Sequence, residues 1–412
     1  MSALLAACLA TSAANASPPI APWCDSSTVQ IAPIGEGPLK LTNVRCFELP
    51  SNFAGYGMPF QPSPDSNYFF QFDLSTGLTL GGLEAGTPLQ HFDADIALGN
   101  IEYFENPFQW FHDGRSVLGV TQDVMKPGGG WMLGPLRPFL ASVDGKIRML
   151  PSLVNEAGPL DELHWVGNRG LAIALFGAKG AYYRPEHIDP QPTIALVDAL
   201  SGRVIQPVPL ADLVPDASRT NINHVSSRVD ERGRIEAVIT LAPGRWIFWR
   251  QGSAPRQLPI SVNPWSTRFT LSPDGRTVLT MRNLTASGSI CEHNPNCPIP
   301  TPNTGPIAEL YDLKSGKIIW AITGTAKDFS SYGPPVISPD GRYALITMPD
   351  RDQNSRNFSL PNTVALVAMA TGKVLQRFPS SSPYISPIGF SNDSRDVWVS
   401  VGRRLTTYSI VE

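Results

Sequence analysis

LSPDGRTVLT (Leu271–Thr280) and ISPDGRYALI (Ile337–Ile346) are near copies of one another within the same chain. In this phrase Pro presets φ for the first corner of a turn, Asp is accepted at the second, and Gly takes the left-handed position that folds the chain back. The residues that follow, RTVLTM and RYALITM, place β-branched and apolar side chains where a strand packs between sheets. The phrase therefore predicts a tight turn feeding a strand, and its recurrence points to an internal repeat.

Weaker copies are FHDGRSVLGV from Phe111, WVGNRGLAIAL from Trp165, VDERGRIEAVIT from Val229 and FSNDSRDVWVSV from Phe390. From Asp113 through Asn168, Asp230, Asp274 and Asp340 to Asp393, the intervals are 55, 62, 44, 66 and 53 residues. Most intervals carry a second landmark: FDLSTGLTL (Phe72), ASVDGKIRML (Ala141), VDALSGRVIQ (Val197), YDLKSGKIIW (Tyr311) and VAMATGKVLQ (Val367). Each reads as strand, tight Gly turn, strand. Two hairpins make four strands, and four-stranded units repeated around a ring make an all-β, single β-propeller whose closure protects the sheet edges. Seven blades is the expected count, with six and eight as alternatives. Between Asp65 and Gly77 there is too little chain for two full strands ahead of the Gly turn, so the first blade is expected to borrow or rearrange. The last repeat offers three strands before Glu412, and an N-terminal strand from about Thr28 to Glu48 is expected to complete it.

The SPDGR and D-x-x-[ST]-G-K phrases resemble the WD40-like propellers of exported bacterial proteins, the PD40 or TolB-type and YVTN-type repeats. The resemblance covers most of the chain and implies the propeller fold. It implies no single activity, because that superfamily spans binding modules, lactonases, lyases and peptidase gating domains. YDLKSGKIIW is also similar to the tryptophan-docking repeat of quinoprotein dehydrogenases, but one copy alone keeps the Trp, so Trp320 is read as local blade packing and no pyrroloquinoline quinone is expected. No G-x-S-x-G elbow follows the repeats, which removes the peptidase reading.

The chain is globular in composition, with 42% apolar and 16% charged residues, and its formal charge of -3 offers no basic footprint for nucleic acid. No stretch reaches the roughly 18 apolar residues of a membrane span. The opening MSALLAACLATSAANASPP ends its small-residue run in Ala14-Asn15-Ala16, the pattern of a secretory cleavage site. The expected organisation is a signal peptide over 1–16, an N-terminal arm with the ring-closing strand over 17–54, and the propeller over 55–412. Such a chain is exported to the periplasm or the extracellular space. Leu5-Ala6-Ala7-Cys8 resembles a lipobox, so a lipid anchor at Cys8 is the alternative to cleavage. Four further cysteines suggest disulfides, and Cys24 with Cys46 and Cys291 with Cys297 is the simplest of three connectivities.

Strand connectivity assigns two faces. The short SPDG and SG turns share one face, and the second loops of the blades share the other. Long second loops run from Gln122 to Pro138, Gly177 to Pro192, Arg282 to Ile307 and Pro349 to Asn362, and loops of such length are usually functional. They carry Trp131, Tyr182, Tyr183, Arg184, His187, Arg351, Arg356 and Phe358, aromatic and Arg side chains of the kind that anchor recognition surfaces. Residues leading into the innermost strands, Phe108, His164, His224, Trp265, Tyr332 and Tyr384, are expected at the channel mouth. No H-x-x-x-H or Cys-x-x-Cys spacing marks a metal site, and no cofactor is expected. The reading that follows is a binding scaffold for a protein, peptide or glycan, acting through the long-loop face. The alternative is a channel-centred enzyme of lactonase or lyase type, using acidic and histidine residues, with or without a divalent metal.

Overall fold

The computed structural model of the protein describes residues 40–48, 61–93, 108–125, 132–176, 193–208, 222–262, 267–285, 303–329, 334–349, 362–378 and 385–411, apart from gaps of one to five residues within these spans. Among them there is no helix. Seven antiparallel sheets follow one another along the chain, forming a seven-bladed β-propeller of the kind WD40-like repeats build. Blades 1 to 6 occupy 61–93, 109–149, 154–208, 222–257, 267–326 and 336–378. Blade 7 takes three strands from 385–411, and its outermost strand is the N-terminal Lys40–Glu48.

That closing strand runs antiparallel to Arg404–Val411, with Lys40 opposite Val411 and Glu48 opposite Arg404, and a bulge between Asn43 and Arg45. The chain thus seals its ring with a strand from its other end. Blade 1 takes the second of its two expected solutions, rearrangement. It borrows nothing, because its STG turn joins the second strand (Tyr68–Asp73) to the third (Gly77–Gly82) instead of the third to the fourth. With a hairpin-length second connection and six-residue strands, the whole blade fits between Gln61 and Asp93.

The repeated phrase earns its residues in the first turn of each blade. In blade 5 the Ser272 hydroxyl donates to Asp274 Oδ1 at 2.6 Å and accepts the Thr277 N–H at 3.0 Å, while Gly275 turns the chain at φ 69°. Blade 6 repeats this with Ser338, Asp340, Tyr343 and Gly341 at φ 72°. In blade 7 Ser394 stands in the glycine position at φ 61°, the one non-glycine with left-handed backbone among the described residues, and its hydroxyl accepts the Asp340 N–H of blade 6 at 3.1 Å. A left-handed corner is unfavourable for a residue with a Cβ, and the inter-blade hydrogen bond offsets part of that cost.

These turns make the fold sensitive to acid. Partial burial raises the carboxyl pKa of Asp65 and Asp340, but hydrogen bonds from Ser63 or Ser338 and from the following N–H groups outweigh it and hold both below the ordinary value of 3.8. At Asp393 the Ser391 hydroxyl is the main cause of the same lowering. A carboxylate whose folded pKa is depressed contributes fully above its unfolded pKa and loses that contribution as pH falls through the folded value. The thermal midpoint is therefore expected to drop below pH 3.8, and Asp340→Asn to flatten the drop. Differential scanning calorimetry across that range would show no added acid slope if the turns did not matter.

Cores lie between blades, not within them. Blades 1 and 2 meet through Phe70, Phe72, Phe108, Trp110 and Phe139, with the Phe72 and Phe108 rings 4.7 Å apart. Blades 5 and 6 meet through Leu279, Ile307, Ile346 and Met348, and the ring is completed where Phe69 and Leu83 of blade 1 pack on Trp398 and Leu405 of blade 7. Burying each such side chain stabilises the fold by about 1.5–3 kcal/mol. Trp320 also serves packing: its Nε1 donates to the Met369 carbonyl of blade 6 at 2.7 Å, so it links neighbouring blades instead of acting within its own.

Candidate functional site

Two blades stand above the ring on the second-loop face. In blade 2 the first strand's last partner is Leu118, yet the second and third strands (Ser116–Met125 and Met132–Ser142) stay paired as far as Met125 and Met132. The expected loop from Gln122 to Pro138 is therefore largely a β-hairpin. The physical reason is local: VTQDVM and MLGPL flank KPGGGW, so strand formers lie on both sides of a glycine-rich stretch. In blade 5 the second strand reaches Ala308, and the third and fourth strands continue beyond it to pair Asn303 with Ala326. Leu284–Thr285 and Asp328–Phe329 form a separate two-stranded sheet beside this extension.

The side chains expected to bind there, Trp131, Tyr182, Tyr183, Arg184, His187, Arg351, Arg356 and Phe358, lie outside the described residues. So do Cys8, Cys24, Cys291 and Cys297, and so do Trp265, Tyr332 and Tyr384 of the expected channel mouth. Cys46 sits on the closing strand, opposite Thr406.

The three described residues expected at the channel mouth are all buried. Phe108 is 3% exposed and belongs to the aromatic core of blades 1 and 2. His164 lies on the first full strand of blade 3, with Nε2 3.7 Å from Glu162 Oε2. Glu162 in turn accepts the Ile222 N–H of blade 4 at 3.1 Å. His224 donates from Nε2 to the Phe269 carbonyl of blade 5 at 2.9 Å, its ring edge-on to the Phe269 ring. Glu162 and His224 thus bridge neighbouring blades, while His164 faces Glu162 within its own strand. Among the described residues, no group of three or more His, Cys, Asp and Glu side chains is placed to hold a metal ion.

No protein-family model matches this chain, and no curated protein does either. Its site must be read from its own residues.

The feature that sequence reading passed over is the polar seam between blades 4 and 5. Along the first strand of blade 4 (Ile222–Val229), His224, Ser226 and Arg228 point the same way, as alternate residues of a strand must. Each meets backbone of blade 5: the Phe269 carbonyl, the Leu271 N–H at 2.9 Å, and the Pro273 carbonyl. Side chains here do the bridging that main chain does within a sheet. Glu236 on the second strand lies directly opposite both Arg228 and Arg250 in register, and is 0% exposed. Its Oε2 accepts Arg228 Nε at 2.7 Å and its Oε1 accepts Arg250 Nε at 2.6 Å. Further along, buried Glu309 pairs with Arg282 and accepts the Tyr311 hydroxyl at 2.8 Å. Burial, and then that carboxylate, push the Tyr311 phenol up to about 12. A sequence signal for the seam did exist: in RIEAVITL, Glu236 occupies the place of Val278 in RTVLTM and Ala344 in RYALITM.

Proposed function

We propose that this chain is an exported binding scaffold that takes a protein, peptide or glycan through its second-loop face. The observation that carries the reading is the relief of that face, where the hairpin of blade 2 and the extended strands of blade 5 rise above a ring whose other face is finished by tight turns. Raised strands next to second loops whose sequences are rich in Trp, Tyr and Arg suit a recognition surface. Export is supported by the leader-like N-terminal segment and by the likeness of the SPDGR and SGK phrases to PD40 and YVTN repeats. The channel-centred enzyme has less support, since His224 and Glu162 are occupied by backbone groups of the neighbouring blade.

The test is binding to peptide and glycan arrays, followed by affinity measurement on the full chain. Trp131→Ala and the pair Tyr182→Ala and Tyr183→Ala are expected to weaken the ligand so found at least about tenfold, as truncation of an aromatic anchor does. Unchanged affinity in both variants would remove the second-loop face as the site.

A further inference from the structure

We propose a second site on the opposite face: the cleft between blades 4 and 5 binds an oxyanion, the carboxylate or phosphate group of a small organic ligand. The cleft has a volume of about 510 Å³, which is within the range of small-molecule pockets. Its walls are three short turns, and they bring Arg250, Arg256, Arg276 and Lys314 together against a single carboxylate, Asp312. In a chain of net charge -3, that local excess of cations is not background.

The arrangement is fixed before any ligand arrives. Glu236 holds Arg250 from below at full burial, while the Arg250 side chain keeps 42% of its surface exposed. Because Glu236 also serves Arg228, one carboxylate is shared by two guanidiniums and the floor of the cleft stays positive. Arg256 lies 4.9 Å from the Phe248 ring centroid and donates from Nη2 to the Leu313 carbonyl at 3.1 Å, which orients its fork. Asp312 keeps its charge, with Oδ1 accepting the Ser315 N–H at 2.7 Å and the Ser315 hydroxyl at 2.6 Å, but it is one carboxylate against the four cations of the lining. Arg276 is exposed and binds Asp274 through its backbone N–H at 3.0 Å, and its guanidinium makes no hydrogen bond or ion pair among the described residues. Planar guanidinium forks match carboxylate and phosphate oxygens in pairs, and oriented donors lower the entropic cost of binding.

This site lies away from the second-loop face, so it stands or falls independently of the function proposed above. The experiment is calorimetric titration of the full chain at low ionic strength with inorganic phosphate, with benzoate, and with neutral benzyl alcohol. Saturable one-site binding of phosphate or of benzoate is expected, with none for benzyl alcohol. The stronger of the two anions identifies the ligand class. Arg276→Gln with Lys314→Gln, both at exposed positions, should weaken that anion at least about tenfold without moving the thermal midpoint. Absence of saturable binding to both anions, or equal affinity in the double variant, overturns the proposal.

Discussion

Glu236→Gln is expected to destabilise the protein by about 3–5 kcal/mol, read as a lower urea midpoint at unchanged slope. The amide is nearly isosteric, so the loss does not come from a cavity. It comes from leaving Arg228 and Arg250 beside a neutral group in the seam between blades 4 and 5. The two guanidiniums do not weigh equally. Arg228 has 19% of its side-chain surface exposed against 42% for Arg250, so Arg228 carries most of the penalty and Arg250 regains part of its hydration. Replacing the set with apolar residues, Arg228→Met with Glu236→Leu and Arg250→Met, should recover much of the loss. Buried ionic groups repay little beyond their own desolvation, although the Pro273 carbonyl then lacks its donor. If Glu236→Gln left the midpoint in place, the carboxylate would not be what holds the two arginines.

The ring was legible because turn chemistry is local. Ser, Pro, Asp and Gly in fixed order define a hairpin wherever they stand, and counting them located every blade and the need for a closing strand. What failed to read out depended on partners distant in sequence. In blade 1 the rearrangement was expected, but FDLSTGLTL was taken for the outer hairpin, because the same Gly turn serves there as a second connection and nothing local distinguishes the two uses. The pairing of Ser116–Met125 with Met132–Ser142 was hidden by the length of the segment, although strand formers on both sides of KPGGGW marked it. His164 and His224 were expected at the channel mouth, and their burial was not legible. Strand alternation gives each residue two possible faces, and the register shift between Ile222 and His224, together with the facing backbone of blade 5, decides the outcome for His224. Glu236 could be seen as an anomaly in an apolar strand, but its two partners come from the strands on either side of it and its burial from the blade beyond.

Gly275→Ala and Gly341→Ala put the same change into two copies of one phrase, and they are expected to differ by about 2 kcal/mol or more. Both glycines turn the chain with left-handed backbone, at φ 69° and 72°, so each substitution carries the common cost of about 1–2 kcal/mol for a Cβ in that region. At Gly341 nothing lies within 4 Å of the added carbon, and the cost ends there. At Gly275 the carbon would stand 2.5 Å from Arg228 Nε and 2.6 Å from Glu236 Oε2. Ends of long side chains usually move aside cheaply. These two cannot, because Arg228 is also bound to the Pro273 carbonyl and Glu236 is also bound to Arg250. Displacing either one opens the buried ion group, so Gly275→Ala should approach the effect of Glu236→Gln. The two changes combined should cost clearly less than their sum, since they damage the same interactions. Equal destabilisation by the two alanine variants, measured by urea unfolding, would show that the turn alone sets the cost and that the ion group yields freely. The glycine of the repeated phrase has therefore one role in blade 6 and two in blade 5, where it also makes room for the charges beneath the cleft.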